Sequence, residues 1–138
     1  MIIADTNVVS EFMRDEPDAR ALGWAQSLGS SELSICMVTV EEIERGLARL
    51  SAGHRRRTLE HRWNSLMDAF ADMVAVYDKP AASATARVLV HAEASGRRMG
   101  LADAQIAGIC LSGGRQLATR NVRDFADVPE LAVVNPFA

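Results

Sequence analysis

The chain has 138 residues and a mass of 15.0 kDa, with 49% hydrophobic residues, 24% charged residues and a net charge of −3 at pH 7. This length predicts a single domain over residues 1–138, and the composition excludes disordered, collagen-like and coiled-coil proteins. No apolar run approaches the roughly 20 residues that cross a bilayer, and no basic segment precedes the apolar opening. We therefore expect a cytoplasmic protein with no membrane partner.

The first part of the chain alternates short apolar runs with helical patterns. Residues 2–4 are apolar and are followed at once by Asp5, Thr6 and Asn7, which predicts a buried strand that ends in a loop. The next predicted elements are a helix over 8–12, a helix with Pro17 in its first turn that ends near Gly29, and a strand over 33–37.

The rest of the chain continues the alternation. A helix begins at Thr39 and ends before Gly53, with Val40, Ile43 and Leu47 on one face. The elements predicted after it are a helix with Leu59, Trp63 and Phe70 on its inner side, a strand over 73–77, a helix from Pro80 to about Gly96, a helix over 101–111, and strands over 116–119 and 131–134. This order predicts an α/β fold with a mostly parallel sheet, in which ligands bind beyond the carboxyl ends of the strands.

Three carboxylates are predicted near this edge of the sheet. Asp5 ends the first strand, Glu42 lies in the first turn after the second strand, and Asp103 begins the helix before the fourth strand. Each also has a local explanation. Asp5 can cap a helix, Thr39 and Glu42 have the spacing of a capping box, and Asp103 can be an N-cap or a partner of the helix dipole.

If these groups converge, their charges need compensation. Two carboxylates about 4 Å apart repel by about 4 kcal/mol at an effective dielectric constant near 20, so the cluster must bind a cation or hold protons. Carboxylate oxygens favour Mg²⁺ or Mn²⁺, and a divalent ion in such a site can activate water against a phosphodiester.

The other reactive side chains do not suggest a second site. His54, His61 and His91 are scattered on helices and are expected to be surface or packing residues. Cys36 and Cys110 lie in apolar runs, which is typical of small core residues in a cytosolic protein.

Arginine accounts for 14 of the 15 basic residues. Its planar fork suits phosphate recognition, although a GC-rich genome produces the same bias. Arg120 and Arg123 flank the turn after the fourth strand, where they either contact a phosphate backbone or only decorate a loop.

Four segments resemble, in order, the motifs of PIN-domain nucleases. They are MIIADTNVVS at 1–10, TVEEIERG at 39–46, LADAQIA at 101–107 and ATRNVRDF at 118–125. At this length the closest group is the VapC and FitB type toxins of bacterial toxin–antitoxin pairs. The resemblance implies a PIN-like, three-layer α/β/α fold around a mostly parallel sheet of about five strands.

The resemblance also implies a Mg²⁺-dependent endoribonuclease, with Mn²⁺ as a substitute. Such toxins usually form homodimers and are blocked by an antitoxin protein, through which they contact DNA only indirectly. Asp5 and Asp103 would be the principal metal ligands, and Glu42 would complete the cluster directly or through water. Thr6 would support the loop near the phosphate.

The fourth motif leaves the number of metal ions open. Many PIN domains place an acid where this chain has Asn121, and nearby Asp124 would contribute through water or from outside the ligand set. Thr6, Asn121, Arg120 and Arg123 are the expected substrate-binding residues. Trp63 is expected either in the core alone or also in a dimer or antitoxin groove.

Other functions fit the sequence less well. A non-catalytic PIN-like interaction or regulatory module is the main alternative, and the intact Asp5, Glu42 and Asp103 disfavour it. A haloacid-dehalogenase-type phosphatase requires an aspartate where Asn7 stands. A receiver domain requires a lysine after a late strand, but the only lysine, Lys79, precedes a mid-chain helix.

Overall fold

The computed structural model describes residues 1–70 and 73–138, which form a parallel sheet between two layers of helices. The strands are β1 (Ile2–Ala4), β2 (Leu33–Cys36), β3 (Val74–Ala75), β4 (Gln116–Ala118) and β5 (Val133–Val134). They lie in the order β3-β2-β1-β4-β5, and every pairing is parallel. The predicted α/β/α fold is confirmed, and β1 lies at the centre of the sheet.

Seven helices connect these strands in the described part of the chain. They are α1 (Thr6–Phe12), α2 (Ala19–Ser27), α3 (Met37–Ala48), α4 (His54–Ala69), α5 (Lys79–Ala94), α6 (Leu101–Ser112) and α7 (Val122–Phe125). None of them combines the length and the apolar composition that a membrane span needs.

The sheet has a separate core on each face, because successive strand residues point to opposite sides. Ile3 and Cys36 pack with α5 and α6, whereas Ala4 and Ile35 pack with α1, α3 and α4. The helix that carries Asp103, α6, approaches α5 closely at Gly108. A Cβ atom there would lie 2.1 Å from Oγ1 of Thr85, so no larger residue fits without a shift.

Several predicted boundaries differ from the structure. The second helix begins at Ala19 instead of including Pro17, because the Asp18 carboxylate caps it by accepting from the backbone N–H groups of Arg20 and Ala21. The strand predicted over 73–77 is confined to Val74–Ala75, at the sheet edge beside β2. A short helix, α7, occupies the segment predicted as a turn.

The cysteines, the histidines and Trp63 lie where a structural role places them, in the core or on the surface. Cys36 and Cys110 are free and fully buried, and the pKa of the Cys110 thiol is raised to about 12, chiefly by burial. The three histidines are exposed. Trp63 is 3% exposed and donates its indole N–H to Glu44 over 3.1 Å, so it is a core residue and does not line an open groove.

Candidate active site

Asp5 lies at the carboxyl end of the central strand. Its backbone N–H donates to the carbonyl of Ala118 over 3.0 Å, which continues the pairing of β1 with β4. Its carboxylate accepts from the backbone N–H of Val8 over 3.0 Å and from the hydroxyl of Thr119. Asp5 is therefore the N-cap of α1 as well as a candidate site residue, and it is only 5% exposed.

The surroundings of Asp5 raise its pKa above the ordinary value. Burial is the largest cause, and the neighbouring carboxylate of Glu42 adds to it. Hydrogen bonds from Thr119 and from the backbone N–H groups of Val8 and Asn7 oppose the rise without cancelling it. The ionised carboxylate is thus costly here, and a cation beside it would lower that cost.

Glu42 reaches the same edge from α3 and is held by a chain of hydroxyl groups. Thr6 donates to Oε1 of Glu42 over 2.6 Å, and the hydroxyls of Thr6 and Thr39 are 3.1 Å apart. Because α3 begins at Met37, Thr39 lies inside the helix and is fully buried. The capping-box explanation of Thr39 and Glu42 is therefore wrong: their partner is Thr6, which is 33 residues from Thr39 along the chain.

Asp103 lies near the other carboxylates and is carried by α6. It occupies the first turn of α6, whose N-cap is Gly100, so it does not cap the helix itself. Burial raises its pKa, followed by the carboxylates of Asp124, Asp5 and Glu42 in that order. The negative charges of the three other carboxylates therefore disfavour the ionised form of Asp103. The four carboxylates share one edge of the sheet.

The β4–α7 turn contributes a buried residue that sequence reasoning did not single out. Thr119 is fully buried, donates to Asp5, and accepts from the backbone N–H of Asn121 over 3.0 Å. The signal in the sequence was a polar residue directly after an apolar strand. Asn121 and Asp124 are exposed, and the Asn121 side chain does not cap α7.

The oxygen atoms of this site suit a hard cation that keeps part of its water shell better than a cation bound by protein ligands alone. In the described residues, no three His, Cys, Asp or Glu side chains are arranged to hold an ion by themselves. Mg²⁺ commonly keeps several waters and takes only one or two carboxylates from a protein. Carboxylate, hydroxyl and amide oxygens at the mouth of the site suit that mode of binding, and no histidine or cysteine points to zinc.

The two arginines predicted to bind substrate differ in their surroundings. Arg120 lies 3.6 Å from Oε1 of Glu11, and its guanidinium stacks 3.7 Å from the ring centroid of Phe137, while the side chain remains 52% exposed. The Arg123 side chain is exposed, and its backbone carbonyl accepts from Arg97. Arg120 thus lies in the β4–α7 turn and contacts both α1, through Glu11, and the C-terminal segment, through Phe137.

A groove of about 330 Å³ begins at Thr6 and Glu42 and continues between α1, α3 and α4. Apolar side chains such as Ile43 and Leu47 form much of its lining, and Arg14 also lines it. We call the edge of the sheet that carries Asp5, Glu42, Asp103 and Asp124 the acidic edge. The groove therefore leads away from the acidic edge along a mainly apolar surface.

The comparisons with known proteins agree with this architecture. The family model of the PIN domain matches residues 2–131. Three relatives each align over 99% of this chain. They are a plasmid stability protein, StbB, of Pseudomonas syringae pv. tomato (36% identical, 99% of its length), a VapC ribonuclease of Sinorhizobium fredii (34%, 98%) and the toxin FitB of Neisseria gonorrhoeae (32%, 99%).

The fold is also shared with solved structures. A structure of FitAB bound to a DNA fragment contains a chain that superposes with a TM-score of 0.91 and is 32% identical. That alignment covers 100% of this chain and 96% of the other. The similarity extends through all the elements that carry the acidic edge.

Proposed function

This chain belongs to the PIN-domain family, and from that premise we propose that it is a metal-dependent endoribonuclease, the toxin of a toxin–antitoxin pair. One domain over residues 1–138 carries the activity, and it acts on RNA in the cytoplasm. The observation that carries the proposal is the shared position of Asp5, Glu42, Asp103 and Asp124 at one edge of the sheet, where burial first, and then the carboxylates of Asp124, Asp5 and Glu42, raise the pKa of Asp103. Such a cluster is costly unless a cation joins it.

Asp5, Asp103 and Glu42 are the residues that would hold Mg²⁺, or Mn²⁺ in its place. A bound divalent ion supplies a Lewis acid that activates water and neutralises the charge developing on a phosphodiester. Hydroxyl groups orient two of these acids: Thr119 donates to Asp5 and Thr6 donates to Glu42. The bond from Thr119 opposes the rise in the pKa of Asp5 that burial causes.

The β4–α7 turn and α7 supply the groups that would contact the RNA. Arg120 and Arg123 are exposed beside the acidic edge, where a guanidinium can bind two phosphate oxygens. Asn121 offers a neutral amide and Asp124 a carboxylate that acts through water. Because the Asp124 side chain is exposed, water and an RNA strand can both reach it from solvent.

The groove beside Thr6 and Glu42 is the proposed binding site of the antitoxin. A mainly apolar channel between helices suits an amphipathic helix, and an antitoxin segment there would cover the acidic edge. The relatives are named as a toxin and a ribonuclease, and FitAB has been solved bound to DNA. We propose that this chain forms a homodimer, binds an antitoxin and contacts DNA only through it.

An RNA-cleavage assay on the purified protein tests this function. Transfer and ribosomal RNA would be incubated with Mg²⁺, Mn²⁺ or EDTA, with Asp103→Asn beside the wild type. Asp68→Asn, on an exposed site in α4, is the matched control. We expect discrete cuts that need the metal, vanish in Asp103→Asn and persist in the control. A folded wild type that cuts under no condition would favour the non-catalytic interaction module.

A further inference from the structure

Two buried threonines in helices use their hydroxyl groups in opposite ways. Thr85 donates to the carbonyl of Ala81, one turn earlier in its own helix, over 2.8 Å. Thr39 is fully buried in α3, yet its hydroxyl pairs with Thr6 in a different helix. A helical threonine commonly bonds to its own helix, so the contact of Thr39 joins two elements of the acidic edge.

The number of hydroxyl hydrogens shows which threonine is the donor in the contact between Thr6 and Thr39. A hydroxyl has one hydrogen to donate, and Thr6 gives its hydrogen to Glu42. The 3.1 Å contact between the two threonines must therefore run from Thr39 to the oxygen of Thr6. The Sγ atom of Cys36 lies 3.7 Å from the Thr39 oxygen, so its thiol is left as the donor to Thr39. The chain of bonds runs from Cys36 through Thr39 and Thr6 to Glu42.

We propose that Thr39 is a positioning residue: its hydroxyl holds Thr6 in the one orientation that presents a hydrogen to Glu42. This inference rests on the proposed nuclease function. With an acceptor site of Thr6 occupied by Thr39, the Thr6 hydrogen points at the carboxylate. Without Thr39 as a donor, the Thr6 hydroxyl is free to turn, and Glu42 loses the bond that orients it toward the other acids.

Substitutions at Thr39 and Thr85 separate this role from packing. Thr39→Val keeps the shape and removes the hydroxyl, Thr39→Ser keeps the hydroxyl, and Thr85→Val removes an equally buried hydroxyl elsewhere. We expect Thr39→Val to lower kcat for RNA and weaken Mn²⁺ binding by roughly tenfold each, as for other residues that orient metal ligands. The KM for RNA should stay near the wild-type value, because Thr39 does not touch the substrate.

The readouts are RNA cleavage, melting temperature, and Mn²⁺ binding followed by the electron paramagnetic resonance signal of the free ion. Rescue by Thr39→Ser, with Thr85→Val like the wild type, supports the proposal. A Thr39→Val variant that cuts RNA and binds Mn²⁺ like an active wild type overturns the positioning role alone. Equal losses in Thr39→Val and Thr39→Ser, with a lower melting temperature in both, would show that Thr39 only packs. A wild type that neither cuts RNA nor binds Mn²⁺ overturns the proposed function and this inference together.

Discussion

The acidic edge has two sides that are built differently. On the α3 side, defined by Thr6, Thr39 and Glu42, hydroxyl groups connect α1 to α3 and hold the carboxylate. On the α7 side, defined by Thr119, Asn121 and Asp124, only Thr119 is buried, and the amide and the carboxylate are exposed. The α3 side is thus preorganised, whereas the α7 side is open to solvent, where an RNA strand would approach.

The largest expected difference between the two sides is in catalysis. Glu42→Gln should lower kcat at least about a hundredfold, because the removed charge belongs to the preorganised set. Asp124→Asn should lower kcat by about tenfold or less, since that carboxylate is exposed and acts through water. RNA cleavage rates, with melting temperatures as the control for folding, measure both. Equal losses would mean that the two sides contribute alike.

The buried hydroxyl of Thr119 forms two hydrogen bonds on the α7 side, one to Asp5 and one from the backbone N–H of Asn121. Thr119→Val removes a donor from Asp5 and an acceptor from the backbone N–H of Asn121. We expect a loss of about 1–3 kcal/mol in the free energy of unfolding, measured with urea. The lost hydrogen bond also raises the pKa of Asp5 further, so the acid limb of the RNA-cleavage profile should move to higher pH. Thr119→Ser should restore both, and an unmoved acid limb would contradict the role of this bond.

The raised pKa values of Asp5 and Asp103 predict how the metal-free protein responds to pH. In the window above the ordinary value of 3.8 and up to the raised pKa, the folded state binds more protons than the unfolded state. Stability from these groups therefore falls as pH rises through that window, and their repulsion is fully present at neutral pH.

Asp103→Asn removes a charge that burial and three neighbouring carboxylates disfavour, so it should stabilise the metal-free protein at neutral pH. A relief of about 1 kcal/mol corresponds to a melting temperature about 4 °C higher for a chain of this size. The advantage should shrink as the pH falls toward the raised pKa of Asp103, where the wild-type carboxylate takes up a proton. Calorimetry in EDTA from pH 4 to pH 8 measures this difference in melting temperature. A lower melting temperature for Asp103→Asn at pH 7 would contradict the claim that the clustered carboxylates repel one another.

The smallest effect is expected at Asn121, where many PIN domains carry an acid. Asn121→Asp places a carboxylate on the exposed α7 side, which should tighten Mn²⁺ binding by about 0.5 kcal/mol, or roughly twofold. Asn121→Ser is the neutral control. A gain of a second bound Mn²⁺ ion would instead mean that the α7 side is ordered enough to complete a two-metal site.

The sequence predicted the acids better than the groups that hold them. The sequence predicts Asp5, Glu42 and Asp103 at one edge of the sheet because parallel strands bring their carboxyl ends together there, and their role at that edge stays a prediction. The spacing of Thr39 and Glu42 also allows a capping box, but the partner of Thr39 is Thr6, which lies in another helix. Thr119 was not singled out because a polar residue after a strand is common and its bond to Asp5 spans 114 residues.

The boundaries of the elements show the same limit. The helix after Asp18 was placed too early because Pro17 suits a first helical turn, but the Asp18 carboxylate takes the N-cap position. The third strand was predicted too long because its apolar run continues beyond the residues that pair with β2. Patterns along the chain identify elements, whereas their ends depend on which residue caps a helix and which residues pair with a neighbouring strand.

The most direct test of the acidic edge is a thermal titration of the wild type and Asp103→Asn with Mn²⁺ and Mg²⁺. Binding to the folded state at a hundred times the dissociation constant stabilises a protein by about 2.7 kcal/mol. The melting temperature of the wild type should rise with added metal and approach or pass that of Asp103→Asn, which should barely respond. Equal responses in the two proteins, or none in the wild type, would contradict the claim that these carboxylates together form a cation site.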